Sequence, residues 1–148
     1  MAKINWTRLI AGGLIAAIIM FFTDGFFHER LLKADWHAIY AGLGANEPQP
    51  HGASLVYFAF YELGRGLISM LLYATMRTHF GPGPKTAVLA GIAGWIAFSL
   101  TGPAQFIPLG FFSNALWFKV AGLHLVTTIL ATIAGAAMYK DAPRPATA

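Results

Sequence analysis

The sequence predicts an all-α integral membrane protein, a bundle of four transmembrane helices, and three observations predict it. Of the 148 residues, 57% are hydrophobic and only 11% charged, with a mean hydropathy of +0.59. An average soluble domain carries roughly 25% charged residues. Apolar runs recur along the chain, each near the roughly 20 residues that a helix needs to cross a bilayer. The connections between them are short, so residues 1–148 read as a single membrane domain.

The same composition excludes several function classes. The formal charge of +4 comes from scattered Lys and Arg residues, and no basic run alternates with aromatics on one face, so no nucleic acid partner is expected. Without cysteine there is no disulfide, thiolate metal site or Cys nucleophile. The GPGPK turn has neither the spacing nor the Ser/Thr of a phosphate loop. No nucleophile and base stand in a soluble-type arrangement, and no catalytic residue is assigned.

The first span is expected at about residues 9–28. Its apolar run continues through Thr23, Asp24 and Gly25 into Phe26 and Phe27 and lacks a small-residue cleavage site, which reads as an uncleaved span. Gly12 with Ala16, and Gly13 with Ala17, permit close helix approach. The connection 29–52 carries Trp36 and Tyr40 among Leu32, Ile39 and Leu43, suited to a short amphipathic turn at headgroup level that lids the bundle mouth. Pro48 and Pro50 impose an extended stretch. His37, His51 and His79 fall in loops.

The second span, about 53–75, is ended by Arg77 and followed by the polar turn THFGPGPK. The third, about 86–110, begins with a small-residue face at Ala87, Ala90, Gly91 and Gly94. Its Gly102, Pro103 and Pro108 should kink or unwind it, leaving backbone groups for Gln105 to satisfy. The fourth runs over about 115–139, before a disordered tail at 141–148.

Lys3, Arg8, Arg77, Lys85, Lys140 and Arg144 lie on one side of this topology and only Arg30 and Lys33 on the other. The positive-inside bias then makes both termini cytoplasmic and turns the long connection outward. Counted at 1.5 Å per residue from each outer helix end, Asp24, Gln105 and Lys119 lie roughly 6–8 Å deep, and Glu62 and His124 about 13–14 Å deep. Arg65 lies one turn below Glu62 on nearly the same face. The inner half is left as a dry seal of Ala, Ile, Leu and Met.

Ionisable groups at membrane depth normally face a bundle interior or a wet cavity, which makes each a candidate for function. One reading is an outward-open pocket for an ion, a proton or a small polar ligand, with Asp24 and Lys119 at its mouth, Glu62, Arg65 and His124 at its floor, and Gln105 as a further candidate ligand residue. The other is a structural lock, in which Asp24 pairs with Lys119, and Glu62 with Arg65 and His124, to set helix register. Lys119 can also snorkel to the surface. Asp24, His28, Glu62 and His124 form a two-His, two-carboxylate set of the type that holds zinc or non-haem iron. The depth count opposes that site, separating His28 from His124 by about 15 Å.

The layout of a first span, the Trp-bearing loop ADWHAIYAGLG, the turn GPGPKTAVLAG leading into the third helix and a small-residue fourth helix resembles a group of small four-helix bacterial membrane proteins of unknown function. The resemblance implies a multi-pass protein of the bacterial inner membrane and assigns no site residue. Two function classes follow from the residues. One is a binding or permeation protein, expected as a homo-oligomer in the lipid bilayer. The other is a membrane oxidoreductase or its anchor, holding haem, a metal or a quinone through His124.

Overall fold

Two of the long helices start where a side chain accepts from one of their first backbone N–H groups, and a third starts at a proline. In the computed structural model, which describes residues 4–46, 52–111 and 113–140, Asn5 caps helix α1 by accepting from the Arg8 N–H at 3.2 Å. Ser113 caps α5 by accepting from the Leu116 N–H at 3.1 Å. Pro84 opens α4, where its missing N–H costs nothing. The helices are α1 (Trp6–Leu31), α2 (Lys33–Gly42), α3 (Gly52–Phe80), α4 (Pro84–Ala104) and α5 (Asn114–Ala137). All but α2 are long and apolar enough to cross a membrane. The extended stretch expected at Pro48 and Pro50, His51 and the tail 141–148 lie outside the described residues.

The four long helices form a ring in chain order, α1 against α3, α3 against α4, α4 against α5 and α5 back against α1. Small residues set the crossings. A Cβ on Gly12 would meet the Gly135 carbonyl oxygen at 2.6 Å, and one on Gly13 would meet the Leu67 Cα at 3.1 Å, so backbones touch where α1 crosses α5 and α3. Gly91 faces the Ile129 Cα of α5 in the same way, at 2.9 Å. Such contacts are the means by which helices associate where no water is displaced. The expected faces Gly12/Ala16, Gly13/Ala17, Ala87/Gly91 and Ala90/Gly94 are all buried. Large apolar side chains point the other way: Trp6, Ile10, Leu14, Ile18, Phe22 and Phe26 form an exposed i,i+4 stripe on α1.

One end of the bundle carries the described ends of the chain and the turn into α4. There the Asn5 N–H donates to the Tyr139 hydroxyl at 3.2 Å, and the Gly83 N–H to the Tyr73 hydroxyl at 3.3 Å. Gly83 sits at φ 135°, which a side chain would strain. The Tyr73 and Tyr139 rings meet edge to face at 5.9 Å, with the Arg77 guanidinium 4.9 Å from the Tyr139 ring. The interior of this half is therefore not only Ala, Ile, Leu and Met, because Ser69, Thr86, Thr132 and the two tyrosines are also buried in it. α3 runs on past Arg77 to Phe80, placing His79 in the helix and leaving a turn of only three residues.

At the opposite end two helices change winding. α1 becomes π-helical over Phe27–Leu31, with the Leu32 N–H donating to the Phe27 carbonyl at 2.9 Å, and α4 does so over Ile96–Leu100. In α4 the cause is Pro103, which cannot donate to a carbonyl one turn back and whose ring crowds it. The helix ends at Ala104 rather than near residue 110, and Pro108 falls in the following turns. Around this break Thr101 Oγ1 donates to the Ile96 carbonyl at 2.9 Å and Trp117 Nε1 to the Leu100 carbonyl at 3.1 Å.

Candidate functional site

The i,i+3 spacing of Glu62 and Arg65 puts both side chains on the inner face of α3. Arg65 is 1% exposed and its Nη1 donates to both Glu62 oxygens, at 2.9 and 2.8 Å. The same Nη1 donates to Asp24 Oδ2 across the α1–α3 interface. Nη2 donates to Thr128 Oγ1 of α5 at 2.8 Å. Asp24 Oδ1 accepts from Thr127 Oγ1 at 3.0 Å, and His124 Nε2 lies 3.4 Å from Asp24 Oδ2. Asp24, Glu62 and His124 are 4, 6 and 7% exposed. Three helices thus deliver one buried network in which a single guanidinium bridges two carboxylates.

His28 completes the constellation. Its ring centroid is 5.6 Å from that of His124, and its Nδ1 accepts from the indole N–H of Trp36 at 2.9 Å. An acceptor nitrogen carries no proton, so this bond fixes His28 as a neutral imidazole with its proton on Nε2. Among the described residues neither ring nitrogen of His124 makes a hydrogen bond, the 3.4 Å approach to Asp24 lacking the geometry of one.

Beside the network lies a cavity of about 890 Å³ between the end of α1, α2 and the start of α3. Asp24, Glu62, His28 and His124 line its floor, and Phe22, Trp36, Tyr57 and Phe58 are among its walls. Phe22 and Tyr57 are 69 and 77% exposed, which puts the mouth on the flank of the bundle between α1 and α3. Clefts of about 300–1,000 Å³ with apolar walls and a few convergent polar groups are the usual form of a small-molecule site.

This geometry corrects several expectations. Asp24 does not pair with Lys119; it joins the Glu62, Arg65 and His124 layer. Lys119 instead reaches outward to Asp35 of α2, at 2.7 and 2.9 Å, with its side chain 52% exposed. Gln105 is exposed and donates to the Gly102 carbonyl of its own turn at 2.9 Å, away from the network. The supposed offset between His28 and His124 is absent. Depths counted from helix ends assume that those ends are level, but Leu32 packs on Leu116 and Val120, so the first turns of α5 stand beside α2 and not beside α1.

With that offset gone, the metal set fails for a different reason. Arg65 Nη1 occupies the space between the carboxylates, and among the described residues no three His, Asp or Glu side chains converge to hold an ion. Thr127 and Thr128 are the members that the sequence reading missed, although their i+3 and i+4 spacing from His124 places them on its face. No family model, curated protein or solved structure matches the chain.

Proposed function

We propose that this is a multi-pass binding or permeation protein of a bacterial inner membrane, with both termini cytoplasmic and its intramembrane pocket open to the outer side. The observation that carries the reading is the buried network beside the cavity, in which Asp24 and Glu62 share one guanidinium. With both carboxylates ionised and the histidines neutral, that network has one negative charge in excess. An uncompensated charge at membrane depth is expensive, so the pocket is suited to hold one further positive charge, as a proton, an ion or a small ligand.

A register lock has no use for that imbalance or for the cavity, and a melting experiment separates the two. The purified protein in detergent is heated between pH 5 and 8 and with added sodium, potassium, calcium or ammonium salts, beside Glu62→Gln, whose network is balanced. A ligand that binds only the folded state raises its stability. Wild-type melting should respond to proton or cation concentration and Glu62→Gln should not; identical responses in both leave only the lock. For orientation, cysteines placed singly at Asn46 and Thr78 should label with an impermeant reagent from outside and only after permeabilisation, respectively. The reversed pattern would turn the pocket inward.

A second reading, an oxidoreductase or anchor using His124 with haem, metal or quinone, draws on the pairing of the His28 and His124 rings at the cavity floor. An absorption spectrum and metal analysis of the purified protein decides it, since a stoichiometric chromophore or metal would replace the first reading.

A further inference from the structure

The cavity is too large and too aromatic for a bare ion, and its chemistry specifies more than a positive charge. Phe21, Phe22 and Phe26 from α1 face Tyr57 and Phe58 from α3, with Trp36 of α2 above. Ring faces attract cations, by about 0.5–1 kcal/mol when exposed and about 2 or more when desolvated. They also offer apolar surface to a hydrophobic body. At the floor are the two carboxylates and one guanidinium.

Neighbouring groups do not cancel the excess charge. His28 is held neutral by the Trp36 hydrogen bond. Glu29 and Arg30 at the rim offset each other. The Thr127 and Thr128 hydroxyls that bond Asp24 and Arg65 are neutral, as is Tyr61, whose ring lies against the Arg65 guanidinium, 5.5 Å from centroid to Cζ. His124 is over nine-tenths buried, lines the cavity and has both ring nitrogens without a hydrogen bond among the described residues. A neutral imidazole has one acceptor nitrogen, which suits an ammonium N–H. An anionic ligand would meet like charge, and a neutral one would leave the excess uncompensated.

We infer that the cavity binds a lipophilic cation, an ammonium or phosphonium centre on an apolar body, which enters from the bilayer through the flank between α1 and α3. The cationic centre sits over Glu62 and Asp24, and the apolar body lies between the aromatic side chains of α1 and α3. The inference rests on the pocket reading above and names its ligand class.

The test is equilibrium binding of radiolabelled tetraphenylphosphonium to the purified full-length protein in detergent. Radiolabelled tetraphenylborate, which has nearly the same shape and opposite charge, is measured in a separate experiment because the two ions precipitate together, and a neutral short-chain quinone is the competitor. Saturable phosphonium binding is expected, with no saturable binding of tetraphenylborate and at least a tenfold loss of phosphonium affinity in Glu62→Gln. Phe22→Ala and Tyr57→Ala, both on the exposed walls, should weaken binding severalfold without shifting the melting temperature.

Equal affinity for tetraphenylborate, displacement by the quinone, or undiminished affinity in Glu62→Gln would overturn the inference. So would absence of phosphonium binding in a protein whose melting still responds to protons or inorganic cations, a result that leaves the pocket itself standing. If neither phosphonium nor any ion or proton has an effect, both proposals fall together.

Discussion

The two ends of the bundle solve the same problem in opposite ways. At the end with the described chain termini, helices approach until backbones touch, as at Gly12 and Gly135, and ring contacts gather Tyr73, Tyr139 and Arg77 into one cluster. At the α2 end, π-winding interrupts α1 and α4, aromatic side chains of α1 and α3 line a cavity, and a charged network lies in the interior beside it. Close packing leaves no room for a ligand. A charged interior beside a cavity leaves both room and a reason to bind. The closed end should therefore be sensitive to added volume, and the open end to altered charge.

The largest effect is expected from Arg65→Met. Removing one partner of a buried ion pair typically costs about 3–5 kcal/mol, because the remaining charge is stranded. Here two carboxylates lose the one guanidinium they share. Glu62→Gln should be much milder, since Asp24 still faces Arg65 and that pair is balanced. Thermal melting of both variants in detergent tests the asymmetry. Equal losses would mean that Asp24 and Glu62 do not share the guanidinium.

That asymmetry was only half legible in the chain. The four long helices follow from apolar runs near the length that a membrane crossing needs, and Glu62 with Arg65 follows from helical spacing within one element. The amphipathic stretch around Trp36 and Tyr40 was also readable, and it is α2. What lies between elements was not readable. Asp24 reaches Arg65 across the contact of α1 with α3, and His28 reaches His124 through a vertical offset of α5, whose Leu116 and Val120 pack on Leu32. The π-winding of Phe27–Leu31 leaves no mark in hydropathy, which depends on residue type and not on turn width.

At the closed end the intermediate effect is expected from Gly12→Ala. The new Cβ would stand 2.6 Å from the Gly135 carbonyl oxygen and 2.9 Å from Met70 Cε. The methionine tip can move, but the opposing backbone cannot without displacing α5. Overpacking of this kind costs about 1–3 kcal/mol. Gly122→Ala, on the same α5 but with nothing within 4 Å, is the control and should melt at or slightly above wild type, since alanine favours a helix over glycine. If the two variants behave alike, the backbone contact at Gly12 does not limit the packing of α1 on α5, and the contrast between the ends loses its physical basis.

The smallest effect is expected from Lys119→Ala, and it marks where the open end stops. Lys119 pairs with Asp35 through a side chain that is 52% exposed, so solvent screens the interaction and its loss should cost about 0.2–1 kcal/mol. α2 is held to α5 chiefly by Leu32 against Leu116 and Val120, with Trp36 and Ile39 packed on the same cluster. That contact survives the substitution, and so does the Trp36–His28 hydrogen bond that orients the cavity floor. Melting should fall slightly and the response to protons, inorganic cations or tetraphenylphosphonium should remain that of the wild type. A loss above about 2 kcal/mol would exceed any exposed pair, and a change in the cation response would place Lys119 in electrical contact with Asp24 and Glu62. Either result would extend the charged interior to the surface and erase the boundary between the network and the α2 cap.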